Sequence, residues 1–391
     1  MSCIRLRLVR SQVRSRAQGK VAVLALGCCF LALAALLVWV PEAISKQLPP
    51  AGSGGAVAIA DSIVQPAMSA KQLPGLVLAV VRDGQPVVVK GYGVKSFASG
   101  QVPNANTVFY IGSLSKALTA IGAMLLLEQG KLDLDAPASR YLKRLPRSWY
   151  GITVKQFMAH QSGIPQLERK LPTFEQMLRS ADRVPLSFPP GTRQEYNNFN
   201  FAVAGKVIEA VSGLKYVDFM QQRVFGPLHM DHTGAHVISR NRAISYRPTP
   251  DGPIPIQPHF RGGPYGIPSG HLQSTLTDLL KLYNALARGT LLKPASYELM
   301  VTRIQPGLSG TPGWFERKAG GDSIVTKNGA TQGFQSIMSF VSGKGDGVIM
   351  LWTSQKPKGN GLFKVTNQLL GELCNVPTPG HVEPVDHPEG E

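Results

Sequence analysis

Val21 to Val40 reads VAVLALGCCFLALAALLVWV, twenty residues without a charge. At 1.5 Å per residue a helix of this length spans the roughly 30 Å hydrocarbon core of a bilayer. Residues 1–20 form a basic leader before it, and residues 41–60, with the run QLPPAGSGGA, form a spacer after it. The next apolar patterns are shorter and alternate in kind. A helix is expected near Ala58 to Met68, then strands at Leu76 to Val81 and Pro86 to Lys90 around a turn at Arg82-Asp83-Gly84-Gln85. Ser115 to Gln129 carries helical spacing and stops at Gly130. From about Pro137 to Leu286 helical patterns alternate with Pro/Gly loops. Phe334 to Val341 and Gly347 to Ser354 read as strands again, and Gly361 to Leu373 as an amphipathic closing helix. Strands from both ends of the chain with helices between them predict an α+β domain over 61–374, its sheet carrying a mainly helical insertion. The Pro- and acid-rich residues 375–391 read as a disordered tail.

Composition narrows this picture. The chain has 391 residues, 43% of them hydrophobic and 17% charged, enough for a sizeable core. Its net charge is +17; Arg5, Arg7, Arg10, Arg14, Arg16 and Lys20 face no acid in the leader, and +17 less these six leaves +11. No helix dense in Lys and Arg and no aromatic-basic RNA motif accompanies that surplus, so nucleic acid is not an expected partner. The basic flank before residues 21–40 orients the chain with its N-terminus in the cytoplasm and the domain outside. The expectation is an inner-membrane anchor with a periplasmic or extracytoplasmic domain. The alternative is secretion to the periplasm after signal cleavage near Ala43-Ile44-Ser45. Cys3, Cys28 and Cys29 fall in the leader and apolar run, leaving Cys374 alone in the exported part. No internal disulfide is expected there, and no C-x-x-C metal knuckle is present.

Three segments carry candidate chemistry. In Tyr110-Ile111-Gly112-Ser113-Leu114-Ser115-Lys116, Ser113 and Lys116 are three apart at a helix start, so both fall on one face. A hydroxyl beside an amine suits acyl transfer, and Ser113 is equally suited to a plain N-cap. In Pro190 to Asn200, Tyr196 and Asn198 precede a helix; a phenol relays protons and an amide holds a lysine or a carbonyl, while a packed aromatic is the plainer reading. Lys327-Asn328-Gly329-Ala330 precedes an apolar alternation and is expected to lie along an edge strand. Its cation can attract a carboxylate and its glycine admits a ligand to the backbone, while a solvated turn is the plainer reading.

Taken together and in this order, the three segments resemble the S-x-x-K, Y-x-N and K-T-G motifs of the serine β-lactamase and penicillin-binding-protein superfamily. The class C branch, with its D-Ala-D-Ala carboxypeptidases and esterases, is the most similar. His160-Gln161-Ser162-Gly163 resembles its H-x-S-G loop, and Gly270-His271-Leu272-Gln273-Ser274-Thr275 its G-x-L-x-S-T element. The resemblance implies a β-lactamase-like fold, a central antiparallel sheet flanked by helices, over roughly Asp61 to Leu373. It implies Ser113 as nucleophile, with Lys116 and Tyr196 as candidate bases. Two nearby lysines favour a tyrosinate, so Tyr196 acting with Lys116 is the preferred assignment. Asn198, Lys327, Asn328 and Gly329 would bind substrate, and the backbone N–H groups of Ser113 and Ala330 would form an oxyanion hole. Asn328 departs from the motif, standing where threonine is usual, which directs attention to D-amino-acid peptides and esters beside β-lactams.

The implied function is an exported serine hydrolase cleaving an amide or ester of a small or peptidoglycan-derived molecule, needing no cofactor or metal and acting as a monomer. A non-catalytic penicillin- or peptidoglycan-binding sensor is the alternative. His229, Asp231, His232 and His236 lie close in sequence, but Pro227 and Gly234 interrupt the helix that would align them on one zinc ion. His160 is expected to be structural, and Thr275 with Asp278 to be a capping box.

Overall fold

The computed structural model describes residues 54–71, 73–167, 171–247, 249–256, 258, 263–308, 310–354 and 362–377. The leader, the apolar run 21–40 and residues 378–391 of the tail lie outside them. Among the described residues no helix is long and apolar enough to cross a membrane.

The first helix, α1 (Gly54–Lys71), begins inside the stretch expected to be spacer. Strands β1 (Gly75–Arg82) and β2 (Gln85–Gly93) follow, joined by Asp83-Gly84. Both turn residues have positive φ, 51° and 73°, the conformation whose twist matches that of the flanking strands. After β3 (Phe109–Tyr110) comes a single 3-10 turn, Gly112–Leu114, which runs directly into α2 (Ser115–Glu128). The insertion holds α3 (Val154–Met158), α4 (Phe174–Ala181), α5 (Asn198–Ser212) and α6 (Tyr216–Met220). It continues with a small hairpin of β4 (Ser245–Arg247) and β5 (Ile254–Ile256), then α7 (Ile267–Gly270), β6 (Gln273–Ser274), α8 (Leu276–Ala287) and α9 (Pro294–Val301). Four strands then return the chain to the sheet: β7 (Phe315–Ala319), β8 (Asp322–Thr331), β9 (Phe334–Val341) and β10 (Gly347–Thr353). Helix α10 (Phe363–Cys374) closes it.

The main sheet has the order β2-β1-β10-β9-β8-β7 and is antiparallel throughout. Strand β1 reads as an unbroken apolar run because both of its faces are covered. Leu76, Leu78 and Val80 pack with Ala60 and Val64 of α1 and Leu369 and Leu373 of α10. Val77, Ala79 and Val81 face the larger core, with Leu118 and Ile121 of α2. Past α10, Asn375 adopts the left-handed C-cap conformation and Val376 is buried, so the first residues of the expected tail finish the helix.

Candidate active site

The catalytic candidates are set by the junction of the 3-10 turn and α2. Every residue of α2 from Ser115 to Met124 is buried, so Lys116 enters the interior with its helix and is 0% exposed. Ser113 sits half-buried in the tighter turn that precedes it. The turn's N-cap is Ile111, with no side-chain cap bond, so Ser113 is not the helix cap. The local bonding that holds the corner falls to Ser115, whose Oγ donates to Gly112 O at 2.7 Å and accepts from Leu272 N–H.

Ser113 Oγ lies 2.6 Å from Tyr196 OH, and Lys116 Nζ lies 3.1 Å from the same Oγ. Lys116 Nζ also donates to Asn198 Oδ1 at 2.8 Å and to Ser269 O at 2.5 Å. Carbonyl oxygens only accept, so these two contacts orient the amine and leave a third tetrahedral position toward Ser113. The S-x-x-K and Y-x-N segments therefore meet. The Ser269 carbonyl belongs to α7, just ahead of the G-x-L-x-S-T element; that element's proximity to the lysine was visible only as a motif match, since a backbone acceptor leaves no mark on residue type.

Tyr196 is held from several sides. Its ring stacks on His160 at 4.4 Å between centroids, and His160 stacks in turn on Phe201 at 5.4 Å. His160 Nδ1 accepts from Asn197 N–H at 3.2 Å and faces Asn200 Nδ2 at 3.1 Å. An accepting Nδ1 places the ring proton on Nε2, which suits a positioning role. Asn200 Oδ1 accepts from Ser162 Oγ at 2.6 Å, so the H-x-S-G loop and the start of α5 form one polar network beneath the tyrosine. Asn197 caps α5 through Phe199 N–H and reaches back to the carbonyls of Ile164 and Pro165. Gln166, an exposed residue, donates from Nε2 to Tyr196 O at 2.6 Å; nothing in the sequence pattern marked it.

The third segment arrives on β8. Strand β7 ends opposite Thr326, so Lys327 to Thr331 pair with β9 on one side and leave the other edge open. That edge lies against the 3-10 turn at unusually short range. A Cβ added at Gly329 would fall 2.0 Å from Ile111 O and 2.7 Å from Leu114 N. One added at Gly112, where φ is +51°, would fall 2.6 Å from Ala330 N. Only glycine permits either approach, and the approach brings the backbone at Ala330 beside the Ser113 turn. Ser336 Oγ, from β9, donates to Ile111 O at 2.7 Å and fixes the seam.

Lys327 is 1% exposed. Its Nζ lies 5.5 Å from the centroid of the Tyr196 ring and 4.5 Å from that of Phe315, and burial pushes its pKa down to about 7. Lys116 Nζ lies 4.8 Å from the centroid of the same Tyr196 ring. His271, half-buried beside the site, is pushed down to about 4 by burial and by the Lys116 cation, so it stays neutral near pH 7. Register separates Asn328 from its neighbours: Lys327 and Gly329 pair with Met338 and Ser336, whereas Asn328 pairs with Ile337. Ile337 packs on the α1/α10 side. The Asn328 side chain therefore leaves the strand on the face opposite Lys327.

The remaining candidates have structural places. Thr275 Oγ1 accepts from Asp278 N–H, as a capping residue does. The Asp278 carboxylate does not complete the box; it accepts from His232 N–H and Thr233 Oγ1 and pairs with Lys281. Among the described residues no group of three His, Cys, Asp or Glu side chains is placed to hold a metal ion.

A serine, a buried lysine and a tyrosine within hydrogen-bond reach of one another, set beside an antiparallel sheet, define a protein of the serine β-lactamase and penicillin-binding-protein-like superfamily. The chain belongs to the Beta-lactamase family, whose model matches residues 60–372. Among individual relatives, PbpX of Bacillus subtilis (strain 168), a protein named for penicillin binding, is 29% identical over 301 residues, 76% of this chain and 74% of PbpX. Protein flp of Staphylococcus aureus (strain COL) is 25% identical over 315 residues, 74% of this chain; the match spans 62% of flp's own length. Among solved structures, the octameric penicillin-binding protein homologue from Pyrococcus abyssi superposes with a TM-score of 0.70 at 25% identity, covering 81% of this chain and 77% of that one.

Proposed function

We propose that this protein is a serine hydrolase that opens an ester or amide through an acyl-enzyme on Ser113. The observation that carries the proposal is the contact of one hydroxyl with both proton-handling groups, 2.6 Å to Tyr196 OH and 3.1 Å to Lys116 Nζ. Tyr196 as phenolate takes the Ser113 proton while Oγ attacks the carbonyl carbon. Two lysine side chains close to the tyrosine ring stabilise that anion. The developing oxyanion is received by the backbone N–H groups of Ser113 and Ala330, each donor supplying about 3 to 4 kcal/mol at such sites. The leaving group departs with the proton held by Tyr196, and water then clears the ester on Ser113.

The substrate we propose is a small or peptidoglycan-derived molecule with a carboxylate near the scissile bond: a D-amino-acid peptide, a related ester or a β-lactam. Buried Lys327 would meet the carboxylate, Asn198 the acyl amide, and Gly329 the close approach of ligand to strand. Residues 21–40 and their basic flank support export and anchoring of the domain on the extracytoplasmic side.

The test is incubation with a fluorescent penicillin and a chromogenic ester beside Ser113→Ala. The expected result is covalent labelling and ester turnover that both vanish in the variant, with the circular dichroism unchanged. Absence of labelling and of Ser113-dependent turnover would make the protein a binder only.

A further inference from the structure

The Ser269 carbonyl that orients Lys116 is one of a pair. Helix α7 spans only four residues, Ile267–Gly270, so the carbonyls near its end have no partner within the helix. Pro268 O and Ser269 O are met by α2 instead. Lys116 Nζ donates to Ser269 O at 2.5 Å, and Thr119 Oγ1 donates to Pro268 O at 2.8 Å. Lys116 and Thr119 are three apart on one face of α2, and both are 0% exposed.

Thr119 is itself held. A threonine inside a helix can turn its hydroxyl to the carbonyl one turn back, and Ser115 O stands 3.0 Å away as that second acceptor. The one Thr119 proton is thus committed to carbonyls, and Tyr216 OH, at 2.6 Å, donates to Thr119 Oγ1. Burial pushes the Tyr216 phenol up, so it keeps the proton it donates. Tyr216 opens α6, and its N–H donates to Glu209 Oε1 of α5 at 3.0 Å. Helix α5 also carries Asn198, the other acceptor of Lys116. It lies so close to α7 that a Cβ added at Gly205 would fall 2.3 Å from Pro268 Cγ. The path Glu209, Tyr216, Thr119, Pro268 therefore ties together α5 and α7, the two elements whose oxygens aim the lysine.

We propose that Thr119 and Tyr216 are positioning residues for acyl transfer: their paired hydroxyls pin α7 to α2 and α5, and so keep Lys116 Nζ directed at Ser113 Oγ. Without the Thr119 hydroxyl, Pro268 O loses its donor in the interior, and its relaxation moves the adjoining Ser269 O. The inference rests on the roles proposed for Ser113 and Lys116.

Acylation of the full-length protein by p-nitrophenyl acetate is followed by stopped flow, with the Ser113→Ala rate subtracted as background. Thr119→Val, which keeps the branched shape, should slow acylation at saturating ester by about 10- to 100-fold. The half-saturating concentration should not change, as for an interaction felt in the transition state alone. Thr119→Ser, which restores the hydroxyl, should recover most of the rate. Tyr216→Phe should give the same change to a smaller degree, and it carries the test if Thr119→Val does not fold. Thr366→Val removes an equally buried hydroxyl from α10, where it donates to Leu362 O, and should leave the rate unchanged. An unchanged rate in Thr119→Val, no recovery in Thr119→Ser, or an equal fall in Thr366→Val overturns the proposal. If Ser113→Ala and wild type react alike, the Ser113 reading fails instead, and crystal structures decide the positioning role by themselves. Lys116 Nζ released from Ser269 O in Thr119→Val supports it; the contact kept intact there overturns it.

Discussion

Lys327 is the residue whose chemistry depends most on its surroundings. A lysine in water keeps its proton to about pH 10.4, but burial brings this one down to about 7. It is thus charged below neutrality and loses its charge as pH rises through about 7. For a carboxylate-bearing substrate, kcat/KM should therefore fall by up to about tenfold per pH unit above that point. An uncharged ester measured in parallel should lack this limb, and Lys327→Met should remove the difference between the two. Superimposable profiles for both substrates would refute the carboxylate role. Tyr196 offers a second residue-scale prediction. Tyr196→Phe keeps the ring between its cations and on His160 but removes the oxygen 2.6 Å from Ser113. Acylation followed by stopped flow should slow by about 10²- to 10⁴-fold, the worth of a general base, with little change in melting temperature. A rate within a few-fold of wild type would transfer the role to Lys116.

Among elements, the seam between β8 and the 3-10 turn decides whether a site exists. Gly329→Ala would drive a methyl group into the backbone of Ile111 and Leu114, where no side chain can yield. The expected cost is about 1 to 3 kcal/mol of stability from overpacking, read by urea denaturation, with a larger loss of acylation rate because Ala330 N–H is displaced. Retained acylation would mean that Ala330 does not serve the oxyanion. Much of this scale was legible in the sequence. Short apolar runs marked β1, β2, β9 and β10, and Asp83-Gly84 marked a hairpin whose turn proved as tight as those residues allow. Strands β7 and the first half of β8 were not anticipated. Phe315–Ala319 reads FERKA and is only partly buried, as an edge strand is, so its pattern of apolar residues is faint. The Gly320-Gly321 pair that turns it into β8 was the available signal. Likewise Ser113 at a helix start suggested an N-cap, but a 3-10 turn intervenes and frees its hydroxyl.

For the molecule as a whole, the chain brings its two ends into one sheet and hangs the insertion between them, so that residues 113, 196 and 327 converge from three separate segments. The proposed anchor acts at this scale too. In cell fractions the full-length protein should remain with the membrane after high-salt washing, whereas a chain starting at Gly54 should be soluble when expressed without a leader. Recovery of full-length-sized protein in the soluble fraction would exclude an uncleaved anchor, and a shortened soluble form would indicate signal cleavage. The sequence by itself determined the family, the three motifs and the serine, lysine and tyrosine to which the proposed chemistry is assigned, because these depend on residue type and spacing, which a linear chain displays. Only the tertiary structure decided what those groups touch. The Ser269 carbonyl that orients Lys116, the His160 ring beneath Tyr196, the face taken by Asn328 and the burial that makes Lys327 a weak cation all come from backbone atoms, strand register and desolvation. None of these is a property of any residue until the chain has closed around it.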